Sequence, residues 1–147
     1  MADQLIQHTT LDAIETYLGT ITDPLPATHT LKRTHEDNPN SSKSYYHLSS
    51  VLEGEVEPGI GLYDVAVTFE IRTDKDLSTA ENLHQTAVSK LAVGMLDPAA
   101  VDGLTNAKVG FTCYDILIGG GDPIDVDERK FVESMSFRIR CMMKDIV

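Results

Sequence analysis

The stretch that most constrains this chain is residues 109–143, VGFTCYDILIGGGDPIDVDERKFVESMSFRIRCMM. It holds two alternating segments joined by an acidic, glycine-rich loop. In the second segment, Met135, Phe137, Ile139, Cys141 and Met143 fall on one side, and Ser134, Ser136, Arg138 and Arg140 fall on the other. Strand side chains alternate with period two, so this segment is expected to bury one face and show a polar, basic one. The pattern predicts a hairpin from about 109 to 118 and from about 131 to 143, and that hairpin needs a partner for its apolar face.

Upstream, a second hairpin is predicted from about 44 to 56 and onward from Leu62. Its turn, Glu57-Pro58-Gly59-Ile60-Gly61, carries the Pro-Gly pair of a tight reversal. After the turn Tyr63, Val65, Val67, Phe69 and Ile71 share one side, opposite Asp64, Thr68, Glu70 and Arg72. Two helices are expected to cover the apolar faces. In the first, Leu11, Ile14, Leu18 and Ile21 recur at helical spacing. It starts either at a Thr9–Asp12 capping box or earlier, near Gln4, and it stops at Asp23-Pro24. The second opens on Ser78-Thr79-Ala80-Glu81, with Ser78 as N-cap, and ends at Asp97-Pro98. Leu83, Ala87, Leu91 and Met95 form its apolar stripe, widened by Val88 and Ala92. Residues 22–44 read as a long polar connection with a short strand at Thr30–Arg33, and residues 97–108 as a loop with at most one helical turn.

The predicted fold class is therefore α+β, in the order α-β-β-α-β-β. A mainly antiparallel four-stranded sheet of two hairpins carries two helices packed on one face, in a single domain spanning residues 1–147. At 147 residues and 41% hydrophobic content, the chain is long enough to bury a core of that size. No run approaches a membrane span. MADQLIQHTTLDAIE lacks a basic segment followed by an apolar one, so no secretory leader is read there and the cytoplasm is the expected site of synthesis. The two cysteines, Cys113 and Cys141, fall in predicted strands without metal-ligand spacing, and read as buried thiols.

Twelve basic residues against 23 acidic ones give a formal charge of −11. A chain this acidic repels phosphate, which disfavours adhesion to nucleic acid. The search for catalytic chemistry is negative. The histidines (His8, His29, His35, His47, His84) show no metal-ligand pairing and read as surface or internally satisfied residues. Gly119-Gly120-Gly121 leads into a strand, not a helix, and reads as a hairpin tip rather than a phosphate loop. Asp122, Asp125, Asp127 and Glu128 miss the calcium-loop spacing, which leaves an exposed acidic loop, a partner contact or a metal site open. No serine lies in a hydrolase elbow. Arg138 and Arg140 read either as an exposed strand face or as pairs with acids of a neighbouring copy, because arginine forks onto carboxylates.

The plan of helix, long loop, hairpin, helix, hairpin resembles the tail terminator proteins of long-tailed bacteriophages, together with related head–tail joining and tail completion proteins. LDAIETYLGTI, YDVAVTFEIRTDKDLSTAENLHQTAVSKL and FVESMSFRIRCMM carry the likeness. It is one of pattern over the whole chain, not of a residue motif. The resemblance implies a structural virion protein of the tail and neck, not an enzyme, with no cofactor and no metal. It implies a homohexameric ring that caps the tail tube protein, stops tube growth, meets the head–tail connector or stopper protein, and passes DNA through its lumen without specific binding and without touching a membrane. On that reading the acids of the hairpin tips, Glu55, Glu57, Asp125 and Asp127, line the lumen or meet the tube, and Arg138 and Arg140 pair between copies. The long 22–44 loop and the 119–130 tip depart from the simplest family members. The rival expectations are another neck or tail completion protein, an adaptor docking a partner through a sheet edge, or a small ligand-binding or enzymatic α+β domain with a deep polar pocket.

Overall fold

A computed structural model describes residues 2–22, 24–33, 44–56, 60–74, 79–120, 125–126 and 130–143. The chain runs α1 (Ala2–Leu18), β1 (His29–Lys32), β2 (Ser44–Glu55), β3 (Leu62–Asp74), α2 (Ala80–Leu96), α3 (Ala100–Ala107), β4 (Phe111–Gly120), β5 (Asp125–Val126) and β6 (Lys130–Met143). The class is α+β, with a mixed sheet ordered β1-β2-β3-β6-β4 and β5 paired to β6. Both predicted hairpins form antiparallel pairs, β2 with β3 and β4 with β6. The closing strand β6 also pairs with β3 from Leu62↔Met142 to Asp74↔Lys130, which welds the two hairpins into one sheet.

The sheet and helix count differ from the sequence expectation in three places. His29–Lys32 adds an edge strand parallel to β2, with His29↔Ser44 and Lys32↔His47 in register, so the sheet is mixed. Residues 100–107 make a two-turn helix where a loop was expected. Ala100 and Leu104 of that helix are fully buried. Two apolar residues four apart give one short stripe, too little periodicity to stand out in sequence. Asp125–Val126 adds a two-residue bridge on β6.

Helix ends also move. The first helix stops at Leu18, before Asp23-Pro24, because Gly19 and Thr20 close its last turn onto the Glu15 and Tyr17 carbonyls. It begins at Ala2, so Thr9 and Thr10 lie inside it, and Thr10 returns its hydroxyl to the Ile6 carbonyl. The second helix is capped at Thr79 without a side-chain cap bond, while Ser78 lies outside the described residues. Its buried stripe is Ala80, His84, Ala87, Leu91, Gly94 and Met95, rotated so that His84, not Leu83, faces inward.

All three helices cover the same sheet face. Val65, Val67, Phe69 and Ile71 of β3, with Phe137, Ile139 and Cys141 of β6, are fully buried beneath them. Phe69 and Phe137 meet edge to face at 5.9 Å. Tyr17 joins the helices, donating its hydroxyl to the Gly94 carbonyl at 2.8 Å. A Cβ at Gly103 would lie 2.4 Å from the Tyr17 ring, so only glycine lets α3 approach that closely. Cys113 and Cys141, directly opposed across β4 and β6, are buried free thiols. Burial pushes Cys113 up to about 12 and Cys141 up to about 11, so both stay protonated and unreactive at neutral pH.

Candidate functional site

The opposite face of the sheet has no helix among the described residues. Its surface follows from the ladder. Alternation sends Asp64, Ala66, Thr68, Glu70 and Arg72 of β3 outward, beside Ser134, Ser136, Arg138 and Arg140 of β6. Arg140 stands opposite Asp64 and forks onto it, Nε to Oδ1 at 3.0 Å and Nη2 to Oδ2 at 3.1 Å. On its other flank Arg140 is in register with Asp115 of β4. Asp64 first, and Asp115 less, hold the Arg140 guanidinium above its ordinary value. Arg138 reaches Glu53 of β2 at 2.8 Å, two strands away, across the small side chain of Ala66. Glu70 pairs with Arg72 along β3, and Thr68 and Ser136 share a hydrogen bond at 3.0 Å. The face is thus tiled by opposite charges, an arrangement that fixes strand register more than it adds stability.

Apolar side chains border this tiled field at both margins of the sheet. Val51, 65% exposed, lies on β2 beyond the segment that β1 covers. Tyr114 and Leu117 project from β4 on this side, and Ile118, 62% exposed, stands on the same strand in register with Phe137, on the side of the helices. Neither the outer edge of β4 nor that of β2 past His47 has a partner strand among the described residues.

The sequence-predicted site residues do not gather in one place. Arg138 and Arg140 share the open face and pair with acids of their own chain. Glu55 ends β2, where its Oε2 accepts the Gly61 amide at 3.1 Å and braces the β2–β3 turn. Asp125 opens β5, in register with Val132. Glu57 and Asp127 lie outside the described residues. Glu55 sits across β3 from the Cys141 end of β6, whereas Asp125 sits at Val132. At roughly 3.3 Å per residue the two hairpin tips stand about 30 Å apart, at opposite ends of the sheet.

Two further features escaped sequence reading. A cavity of about 500 Å³ opens between the three helices, lined by Thr16, Tyr17, Thr20, Val93, Asp97 and Asn106. Burial, and then the charge of Asp97, raise the Tyr17 phenol. The second feature is a buried polar chain under the helix-covered face. His29 Nε2 lies 2.8 Å from Thr73 Oγ1, which lies 2.7 Å from His84 Nδ1. His84 Nε2 lies 3.3 Å from Glu133 Oε1, and Thr28 Oγ1 is 3.1 Å from His29 Nδ1. His29, Thr73 and His84 are all buried. Burial, and then the nearby His84, push His29 down to about 4. Burial also lowers His84, against the opposing pull of Glu133. Two signals were present in sequence: Thr73 continues the buried register of Val67, Phe69 and Ile71, and His84 sits on the Ala80–Ala87–Leu91 stripe.

Among the described residues, no group of three or more His, Cys, Asp or Glu is placed to hold a metal ion, and no helix is long and apolar enough to cross a membrane. The chain matches no protein-family model and no curated protein sequence.

Proposed function

We propose that this protein is a ring-forming structural component of a long-tailed phage virion, one that caps the tail tube, ends its growth and joins it to the head connector. The observation that carries the reading is the pair of bare sheet margins, β2 with Val51 and β4 with Tyr114, Leu117 and Ile118. Unpaired edges with apolar side chains are a liability unless something covers them. Two different margins on opposite sides of one subunit supply the head-to-tail contact that a closed ring requires, since a two-fold dimer would use one patch twice. The open face between them carries Arg138 and Arg140 in exposed ion pairs, which exchange partners between copies at little cost. A formal charge of −11 per copy suits a lumen through which DNA slides without adhering.

Electron microscopy with native mass measurement across a concentration series tests the reading. A closed ring with a central hole, near six times 16.1 kDa, is expected in solution or on purified tail tubes. Ile118→Lys is expected to abolish it while leaving a folded monomer. A protein that stays monomeric both alone and with tubes would sink the proposal. The inter-helix cavity favours a second reading, a small-ligand binding domain, for which a monomer with a saturable site lined by Tyr17 and Asp97 is the distinguishing result.

A further inference from the structure

The buried polar chain crosses four elements: His29 on β1, Thr73 on β3, His84 on α2 and Glu133 on β6. Its hydrogen atoms have only one consistent placement. The Glu133 carboxylate accepts, so His84 carries its hydrogen on Nε2 and leaves Nδ1 bare. Thr73 must then donate its single hydroxyl hydrogen to His84 Nδ1. The Thr73 oxygen in turn accepts from His29 Nε2–H, and the bare Nδ1 of His29 accepts the Thr28 hydroxyl. Every link holds one hydrogen and all of them point the same way. The reverse polarity would set a bare His84 Nε2 against a carboxylate oxygen, two acceptors face to face.

Two extra protons cost the chain a satisfied hydrogen and place like charges side by side. One proton on His84 Nδ1 forces Thr73 to turn its hydroxyl toward His29, which must shift its own hydrogen to Nδ1. A second proton makes the Thr73 oxygen accept an N–H from each side, which leaves its own hydrogen without a partner in the chain and sets two cationic rings one hydroxyl apart in a buried site. Among the described residues, the rings packed against the two histidines do not relieve the charge. Tyr46, whose ring lies 5.4 Å from His29, donates its hydroxyl to the Ala87 carbonyl. The Phe131 ring lies 5.7 Å from His84. Asp74 is buried next to Thr73, its amide held by Ser44 Oγ, and its backbone pairs with that of Lys130. Glu133 is the one carboxylate bonded within the chain, set against two rings. Of the four elements joined, β1 is the weakest held: four residues long, at a sheet edge, with a single parallel neighbour.

We propose that this hydrogen-bond chain is an acid-sensitive latch, which holds β1 on the sheet while both histidines are neutral and releases β1, baring the Ser44–His47 edge of β2, when both are protonated. Both rings have values below the ordinary 6.5 in the closed state. Below pH 6.5 the released form therefore binds protons that the closed form refuses. The closed form is favoured above 6.5 and weakens as pH falls toward 4. The latch does not depend on ring formation, and its test reads the single subunit.

Long-range proton–nitrogen correlation spectra of the full chain at pH 7.5 report the ring tautomers directly. Neutral His29 and His84, each with its hydrogen on Nε2, is the expected result; a charged ring or the opposite tautomer at either position overturns the proposal. Amide exchange between pH 7.5 and 5 reads the release. Protection of β1 and of residues 44–47 is expected to fall about 30-fold through His29, whose closed-state value is about 4, and further through His84, while Val67 and Ile139 keep theirs. Unchanged β1 protection, or loss spread evenly over the core, would also overturn it. His29→Gln keeps a donor toward Thr73 but does not titrate, so the pH step should shrink to that of one histidine. An undiminished step in this variant counts against the latch, and the tautomers of the native chain decide the matter where the variant does not fold.

Discussion

The two faces of this sheet are built from the same strands by opposite rules. Under the helices, alternate residues of β3 and β6 lock Val65, Val67, Phe69, Phe137 and Ile139 away from water, and the buried His29, Thr73 and His84 are threaded into one hydrogen-bonded chain. One residue along each strand, the outer face holds Asp64, Thr68, Arg138 and Arg140, paired pointwise with solvent at hand. The buried face resists change because its groups have nowhere else to go. The outer face tolerates change because water replaces any partner that is lost. Stability therefore resides on one face, and the other can vary without loss of the fold.

Substitutions can break this contrast, beginning with the most severe. Phe137→Ala removes one half of the edge-to-face pair in the core and should cost about 3–5 kcal/mol in denaturant unfolding, whereas Leu117→Ala on the outer face should stay within about 0.5 kcal/mol. A sharper comparison uses the same chemical change twice. Thr73→Val strands a donor on His29 and an acceptor on His84 in a dry site and should cost about 1–3 kcal/mol. Thr68→Val faces Ser136 in reach of water and should cost close to nothing. Equal losses from the two threonine variants would show that the faces do not differ as argued. The smallest effect is expected for Glu53 and Arg138: a double-mutant cycle should give a coupling of less than about 1 kcal/mol that fades with added salt.

Sequence reading reached the parts governed by simple periods. The alternation through Tyr63–Ile71 and Met135–Met143 identified β3, β6 and their buried sides, and the Leu11–Leu18 and Ala87–Met95 spacings placed two helices. It failed where tertiary contacts choose. The short strand read at Thr30–Arg33 is present as β1, but its parallel pairing with β2 was not read, and α3 is held by Ala100, Leu104 and the close fit of Gly103 on Tyr17. Arg138 and Arg140 were legible as an outward pair, but their partners Glu53 and Asp64 depend on strand order, which local pattern does not encode. The histidine chain could not be assembled for the same reason: Thr73 and His84 each stood on a buried register, but His29, Thr73, His84 and Glu133 come from four segments whose meeting local pattern does not encode.

The position of β6 has a consequence for how the protein is made. β3 and β4 run parallel, joined by α2 and α3, with a gap one strand wide between them that only residues 130–143 fill. A growing chain that has exposed everything up to β4 owns two sheet fragments and no continuous core between them. Its most non-local pairings must wait for β6. Synthesis thus acts as a timer, and a chain that has not yet exposed β6 has no finished sheet.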